Sequence, residues 1–82
     1  MSSEFKKSDS NRHLRLVHLR RGQCRRVTKL EEEKAALIAS FGIYPGVLVE
    51  MKQRRPIFVL RCEDSEIAMD ERLARGIWVE ED

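Results

Sequence analysis

Short apolar runs separated by turn residues predict a chain built mainly of β-strands. Val47, Val49 and Met51 alternate with their neighbours, and this period of two is typical of a strand with one buried face. The run from Ile57 to Leu60 is β-branched and aromatic, which also favours a strand. By these criteria the predicted strands cover five segments, residues 23–30, 47–52, 57–60, 67–69 and 77–79.

One α-helix is predicted between the first two strands, over residues 31–41. Its apolar stripe is formed by residues at helical spacing, namely Ala35, Ile38 and Phe41, with Leu37 beside them. The Thr28 hydroxyl is expected to cap free backbone amides, and the glutamates at 31–33 favour the positive end of the helix dipole. Gly42 follows the helix, where a left-handed conformation costs glycine nothing.

Turn residues separate these elements. Gly22 ends a stretch that we interpret as an extended segment or a single turn, and Pro45 with Gly46 makes a tight turn. Residues 70–75 are predicted to form a helical turn. Five short strands with one inserted helix indicate a small, mainly β, partly open antiparallel barrel, because closure hides the sheet edges and buries one face.

The length of 82 residues allows one small domain and excludes a second, cofactor-binding domain. Residues 1–11 are too polar to contribute a core, so we expect a disordered leader there and a folded domain over residues 12–82. The longest apolar run, from Ala35 to Ala39, has five residues, whereas a membrane-spanning helix needs ~20. No secretory signal is recognisable, so we expect a soluble, cytoplasmic protein.

Charge is distributed unevenly along the chain. Residues 1–30 hold nine Lys or Arg against two acids, whereas residues 63–82 hold two against eight. A folded domain with a basic and an acidic pole steers toward oppositely charged partners. The alternative is that the two ends lie side by side and neutralise each other.

The sequence contains no pattern typical of an enzyme or of a preformed metal site. His13 and His18 are five positions apart, a spacing that aligns them neither on a helix nor on a strand. Cys24 and Cys62 are predicted to be free thiols. They are either small core hydrophobes or, brought together with a histidine such as His18, part of a soft metal site. We assign no catalytic residue and expect no cofactor.

Trp78 is the first candidate for a partner-binding residue. Its neighbours Ile77 and Val79 are both apolar, so strand alternation directs that pair inward and Trp78 outward. An exposed indole beside Arg72 or Arg75 is typical of an interface hot spot. The alternative is that Trp78 covers an open end of the barrel or packs against the leader.

The second candidate surface is basic. It combines Arg54 and Arg55, which precede Pro56, with arginines from the first third of the chain, namely Arg20, Arg21, Arg25 and Arg26. The alternative is that this charge only keeps the protein in solution.

Three motifs cover residues 16–79. They are Leu16-x-x-Leu19-x-x-Gly22, then Phe41-Gly42-Ile43-Tyr44-Pro45-Gly46, and finally Ile67-Ala68-Met69 with Leu73-Ala74 and Ile77-x-Val79. Their order and spacing resemble the FeoA family, small cytosolic companions of the bacterial ferrous-iron transporter FeoB. The FeoA domain also occurs at the C-terminus of some metal-dependent repressors. The resemblance implies a small SH3-like barrel.

The sequence departs from the family pattern at three places. The short, basic segment 53–56 stands where the family usually has a longer hairpin between the second and third strands. Arg25 occupies the position of a common alanine, and Leu37 that of a common arginine. These changes indicate a divergent subgroup with its own partner surface.

The resemblance implies a non-enzymatic accessory protein of ferrous iron uptake that docks on the cytosolic part of FeoB, which would recruit it to the inner membrane. A second hypothesis is nucleic-acid binding, because the N-terminal half is rich in arginine, although it lacks the interleaved aromatic residues that stack on bases. A third is a stand-alone regulatory domain like that of metal-dependent repressors. A complete repressor of that type is excluded because no helix-turn-helix is recognisable.

Overall fold

The computed structural model describes residues 13–81, and the predicted leader at residues 1–11 lies outside them. The described residues form six strands, two short helices and one 3-10 turn. The strands are β1 His13–Arg15, β2 Cys24–Leu30, β3 Leu48–Gln53, β4 Phe58–Cys62, β5 Ser65–Met69 and β6 Ile77–Glu80. The helices are α1 Glu32–Ser40 and α2 Glu71–Ala74, and the 3-10 turn is Leu16–His18.

The six strands belong to one sheet, in the order β1-β6-β2-β3-β4-β5, and every neighbouring pair is antiparallel. Register shifts interrupt the ladders between Val27 and Lys29 in β2 and between Met51 and Gln53 in β3. Such bulges bend strands and increase their twist, which lets the open sheet curve around a core. The predicted mainly β architecture with an inserted helix is therefore confirmed.

The core lies on the inner face of this curved sheet. Alternate residues of three strands are at most 1% exposed, namely Val49 and Met51 of β3, Phe58 and Leu60 of β4, and Ile77 and Val79 of β6. In the described part of the chain no polar or charged residue is buried. Full burial of one such side chain stabilises the fold by about 1.5–3 kcal/mol, so alternation along the strands decides which face turns inward.

The sixth strand, β1, corrects the predicted number of five. Residues 13–22 are predicted to form an extended segment or a single turn, and the structure contains both, one after the other. Leu14 pairs with Val79 and Arg15 pairs with Trp78, and the 3-10 turn follows directly. Three residues are too few for alternation to be recognised, so only its partner β6 identifies β1 as a strand.

The predicted helix is confirmed as α1, but the details of its capping and packing were wrong. The N-cap is Glu31, without a side-chain hydrogen bond. Thr28 instead lies in β2, where its Oγ1 is 2.9 Å from Nδ1 of His13. The expected apolar stripe is also only partly buried, because Leu37 is 54% and Phe41 39% exposed.

Two hydrogen bonds to backbone carbonyls hold the start of α1, since no side chain caps it. The amide of Glu31 donates to the carbonyl of Gly76, 2.8 Å away, and Nζ of Lys34 donates to the carbonyl of Arg72 at 2.9 Å. A Cβ on Gly76 would lie 2.8 Å from Cδ of Lys34. The absence of a side chain at this position therefore allows α1 to approach the segment between α2 and β6.

Glycines close two of the turns that position the strands. Gly22 has a φ of 91° in a turn where the amide of Gln23 donates to the carbonyl of Arg20. Gly46 has a φ of 99° and follows Pro45, in a turn of the type that combines proline with a left-handed glycine. Gly42 follows α1 with a φ of 89°. These positive angles strain any residue with a Cβ.

We predict opposite effects for two neighbouring truncations in α1. Ile38 is fully buried, so Ile38→Ala should lower the free energy of unfolding by about 2–5 kcal/mol. Leu37→Ala is the matched control, and it should change that free energy by less than about 0.5 kcal/mol because the side chain is exposed. Urea unfolding measures both values, and equal losses would show that α1 packs through a different face.

Candidate partner-binding site

Trp78 lies at the centre of three side chains that cross three strands, here called the Trp78 row. Trp78 of β6 pairs with Arg15 of β1 on one side and with Lys29 of β2 on the other. The guanidinium carbon of Arg15 is 4.6 Å from the centroid of the indole ring, and Nζ of Lys29 is 5.4 Å from it. Both distances are within the range of cation–π contacts, each worth about 0.5–1 kcal/mol at exposed sites.

The position of Trp78 agrees with strand alternation. Ile77 and Val79 are fully buried and Trp78 is half-buried on the outer face. The cations over the ring belong to β1 and β2, which the sequence did not indicate because the pairing of β1 with β6 was not predicted. Arg75, one of the two arginines expected near the indole, lines the same groove as Trp78.

An open groove of about 560 Å³ runs beside the indole, here called the Trp78 groove. Leu14 and Val17 contribute apolar surface to it beside Trp78, and Arg55 and Arg75 contribute positive charge. Arg15, Glu71 and the two histidines His13 and His18 complete its lining. The groove thus combines an aromatic ring with several cations and one carboxylate.

That carboxylate, Glu71, binds two arginines of the groove. Nε and Nη2 of Arg55 donate to its two oxygens at 3.1 and 3.2 Å, and Nη1 of Arg75 is 3.6 Å from Oε2. The hydrogen bond from Arg55 holds the pKa of Glu71 below its usual range, and the same contact raises the pKa of Arg55. This cluster, the Glu71 clasp, joins the segment between β3 and β4 to α2.

The predicted basic surface is divided among different contacts. Arg54 is half-buried, and its Nη2 donates to the carbonyl of Val17 at 2.9 Å. Arg55 belongs to the Glu71 clasp. Arg20 and Arg21 are exposed in the turn before β2 and do not line the Trp78 groove. Arg54 and Arg55 are therefore held by contacts within the protein, whereas Arg20 and Arg21 are exposed.

Arg25 and Arg26, the remaining members of the predicted basic surface, lie on β2. Nη1 of Arg25 donates to the carbonyl of Cys24 at 2.7 Å, and Nη1 of Arg26 donates to that of Gly46 at 2.9 Å. Both guanidinium groups therefore contact the protein's own backbone. The residues that sequence reasoning missed are Arg15 and Lys29, because no local pattern marks them and only the strand register brings them beside Trp78.

The three weak metal candidates are not brought together. Cys62 is buried in the core, and its Sγ is 3.6 Å from the carbonyl oxygen of Gly42. Cys24 is exposed on β2 and His18 lines the Trp78 groove. Among residues 13–81 no group of three or more His, Cys, Asp or Glu side chains could hold a metal ion. Burial raises the pKa of the Cys62 thiol, and the charge of Glu63 adds to this shift.

The curved six-stranded sheet, its single core and its inserted helix define a small SH3-like barrel. The chain belongs to the FeoA domain family, whose pattern matches residues 14–81. The predicted family and fold are both confirmed. No match to the chain was found among curated proteins.

Solved structures of FeoA proteins share this fold. A crystal structure of an iron uptake regulatory protein, FeoA, has a TM-score of 0.76 and 16% identity, over 83% of this chain and 95% of that one. The solution structure of FeoA from Chlorobium tepidum has a TM-score of 0.71 and 21% identity, over 82% and 69% of the two chains. At these identities the likeness shows the fold alone.

The same barrel occurs as one part of larger proteins. A manganese-dependent transcriptional repressor has a TM-score of 0.76 and 19% identity, over 83% of this chain and 41% of the repressor. The present chain also covers 34% of T. acidophilum IdeR, with a TM-score of 0.77 and 16% identity. It therefore spans between a third and about two fifths of these proteins.

No helix among the described residues is long and apolar enough to cross a membrane.

The two thiols should react at different rates in the folded protein. Cys24 is exposed, whereas Cys62 is buried and has a raised pKa, so its thiolate is scarce and shielded. We expect iodoacetamide to modify Cys24 more than about tenfold faster, as followed by mass spectrometry. Cys24→Ser should leave only the slow reaction, and urea should abolish the difference. Equal rates in the native protein would contradict the burial of Cys62.

The Glu71 clasp should depend on pH in a defined direction. Because the pKa of Glu71 is lowered in the fold, the ion pair stabilises the protein above the pKa of an unfolded glutamate and is lost as pH falls through the lowered value. Glu71→Gln should therefore destabilise the protein at pH 7, and urea unfolding at a series of pH values should show this effect shrinking as pH falls through the lowered pKa of Glu71.

Carboxyl NMR titration tests the cause of that shift. Arg55→Ala should raise the titration midpoint of Glu71, since the first cause of the lowered pKa is the hydrogen bond from Arg55. Arg61→Ala is the control, because it removes a comparable surface ion pair with Glu66. An unchanged midpoint in Arg55→Ala would show that the clasp does not control the Glu71 carboxyl.

Proposed function

We propose that this chain is a non-enzymatic accessory protein of ferrous iron uptake that docks on the cytosolic part of a FeoB transporter. The observation that carries the proposal is the match of residues 14–81 to the FeoA domain family. Docking requires a surface and no reaction, so no bond is made or broken. The protein would act in the cytoplasm, at the inner face of the membrane that holds FeoB.

The chemistry of the Trp78 groove supports a binding role. Its charged groups are Arg15, Arg55, Arg75 and Glu71, and two of these arginines are paired with the carboxylate. Glu71, the one carboxylate of the groove, is held by Arg55 and Arg75 in the Glu71 clasp. Trp78 and the cations beside it are instead the residue types enriched at protein interfaces.

A regulatory role in a larger assembly is the second candidate function. It is favoured by the likeness to a manganese-dependent transcriptional repressor, of which this chain covers 41%. A barrel of this kind acts there as one part of a longer chain. Both candidates require a surface that contacts protein, and they differ in the partner.

The test is an amide chemical-shift titration of the labelled protein with the cytosolic domain of FeoB from the same genome, at moderate salt. We expect saturable shifts confined to one surface. Ferrous iron is then added alone, under anaerobic conditions, as a control for direct metal binding. No shifts with the domain, together with localised broadening at His18 or Cys24 with iron, would replace docking by metal binding.

A further inference from the structure

We propose that the Trp78 groove, together with Lys29 on the neighbouring strand β2, binds an acidic, extended segment of a partner protein, with carboxylates on Arg15, Lys29 and Arg75 and an apolar side chain against Trp78. This inference deepens the proposed function and rests on it for the choice of a protein partner. Here an aromatic ring lies beside two cations that have no carboxylate partner among the described residues, Arg15 and Lys29, and Arg75 shares the carboxylate of Glu71 with Arg55.

The first argument is the unused charge of the Trp78 row. Among the ion pairs of the described residues none involves Arg15 or Lys29. The indole holds both cations by its face, so they are positioned without being neutralised. Side chains that are already ordered lose less conformational entropy when a ligand binds, and an incoming carboxylate finds two prepared positive charges.

The second argument is the continuity of the surface. A second groove of about 480 Å³ shares Arg15, Glu71 and Arg75 with the Trp78 groove and extends it toward Arg72 and Lys34. A single small anion would occupy only one end of these two adjoining grooves. An extended peptide with acidic residues at intervals would occupy their whole length, so a segment of protein is the ligand that fits best.

The position of β1 gives the third argument. β1 is an edge strand of the described sheet, and all three of its residues line the Trp78 groove. Extended peptides bind to sheet edges by adding a strand, where the backbone supplies affinity and alternate side chains supply specificity. A segment added at this edge would place alternate side chains next to Arg15, on the same face of the sheet as Trp78.

Nucleic acid fits this surface less well than an acidic peptide. Glu31 and Glu71 lie among the cations of the second groove. A phosphate backbone carries a negative charge at every nucleotide and would be repelled at both carboxylates. The indole is already in contact with Arg15 and Lys29, so it is not a free platform for base stacking. A peptide can alternate carboxylates with apolar side chains and avoid these groups.

The experiment uses the full chain and a short synthetic peptide of alternating glutamate and leucine, with a glutamine-for-glutamate peptide as the uncharged control. Amide shifts should move along β1 and β6, and the glutamine peptide should bind about tenfold more weakly or worse. Binding should weaken with added salt, since the ligand charges are exposed.

Two charge reversals locate the site. Lys29→Glu should weaken peptide binding by about tenfold or more, and Lys29→Arg should restore it. Arg21→Glu is the matched control: it changes the net charge equally, but Arg21 belongs neither to the Trp78 groove nor to the Trp78 row, so it should have less than a twofold effect. Equal losses in both reversals, or tighter binding of a single-stranded RNA of the same charge, would overturn the inference.

The cytosolic domain of FeoB separates this inference from the proposed function. If the domain binds and Lys29→Glu weakens it while Arg21→Glu does not, both stand. Binding that is insensitive to Lys29→Glu and is not displaced by the peptide would overturn the groove and leave the docking function intact. If only the peptide binds, with shifts along β1 and β6, the groove chemistry stands and the partner is a different acidic protein.

Discussion

β6 pairs with strands on both of its sides, with β1 through Leu14 and Arg15 and with β2 through residues 27–30. Its inward side chains, Ile77 and Val79, are fully buried, so the strand contributes both ladder hydrogen bonds and core volume. The positions of Arg15 and Lys29 beside Trp78 follow from this arrangement. The outward residue Trp78 is held between two neighbouring strands, and only these strands can supply the cations over its ring.

The Glu71 clasp and Arg54 fix the opposite wall of the groove by a different kind of contact. Arg54 binds the carbonyl of Val17 and Arg55 binds Glu71, so one short segment is tied both to the 3-10 turn and to α2. Exposed ion pairs of this kind contribute little to stability singly. Their effect here is geometric, because they hold the walls of a groove formed by separate elements.

Local patterns in the sequence predicted the strands, α1 and the turns at Gly22, Gly42 and Gly46, because alternation and glycine placement act over a few residues. What failed depended on partners distant in the chain. β1 is recognisable as a strand only by its pairing with β6. The Thr28 hydroxyl lies beside His13 instead of capping α1. Arg54 and Arg55 bind Val17 and Glu71, which are distant in the sequence. The candidate site shows the same difference. The apolar neighbours of Trp78 predicted that its side chain points outward. Arg15 and Lys29 are identified as its neighbours only by the register of the paired strands.

The attachment of α1 determines how the molecule opens. Ile38 is the one residue of this helix that is buried, whereas the strands share a continuous core. Fluctuations that release α1 therefore expose little apolar surface, and the helix behaves as a separate cooperative unit with a lower opening free energy than the sheet. Amide hydrogens of α1 should exchange with solvent while the sheet remains folded. No residue of α1 lines the Trp78 groove, so the groove keeps its shape when α1 unfolds.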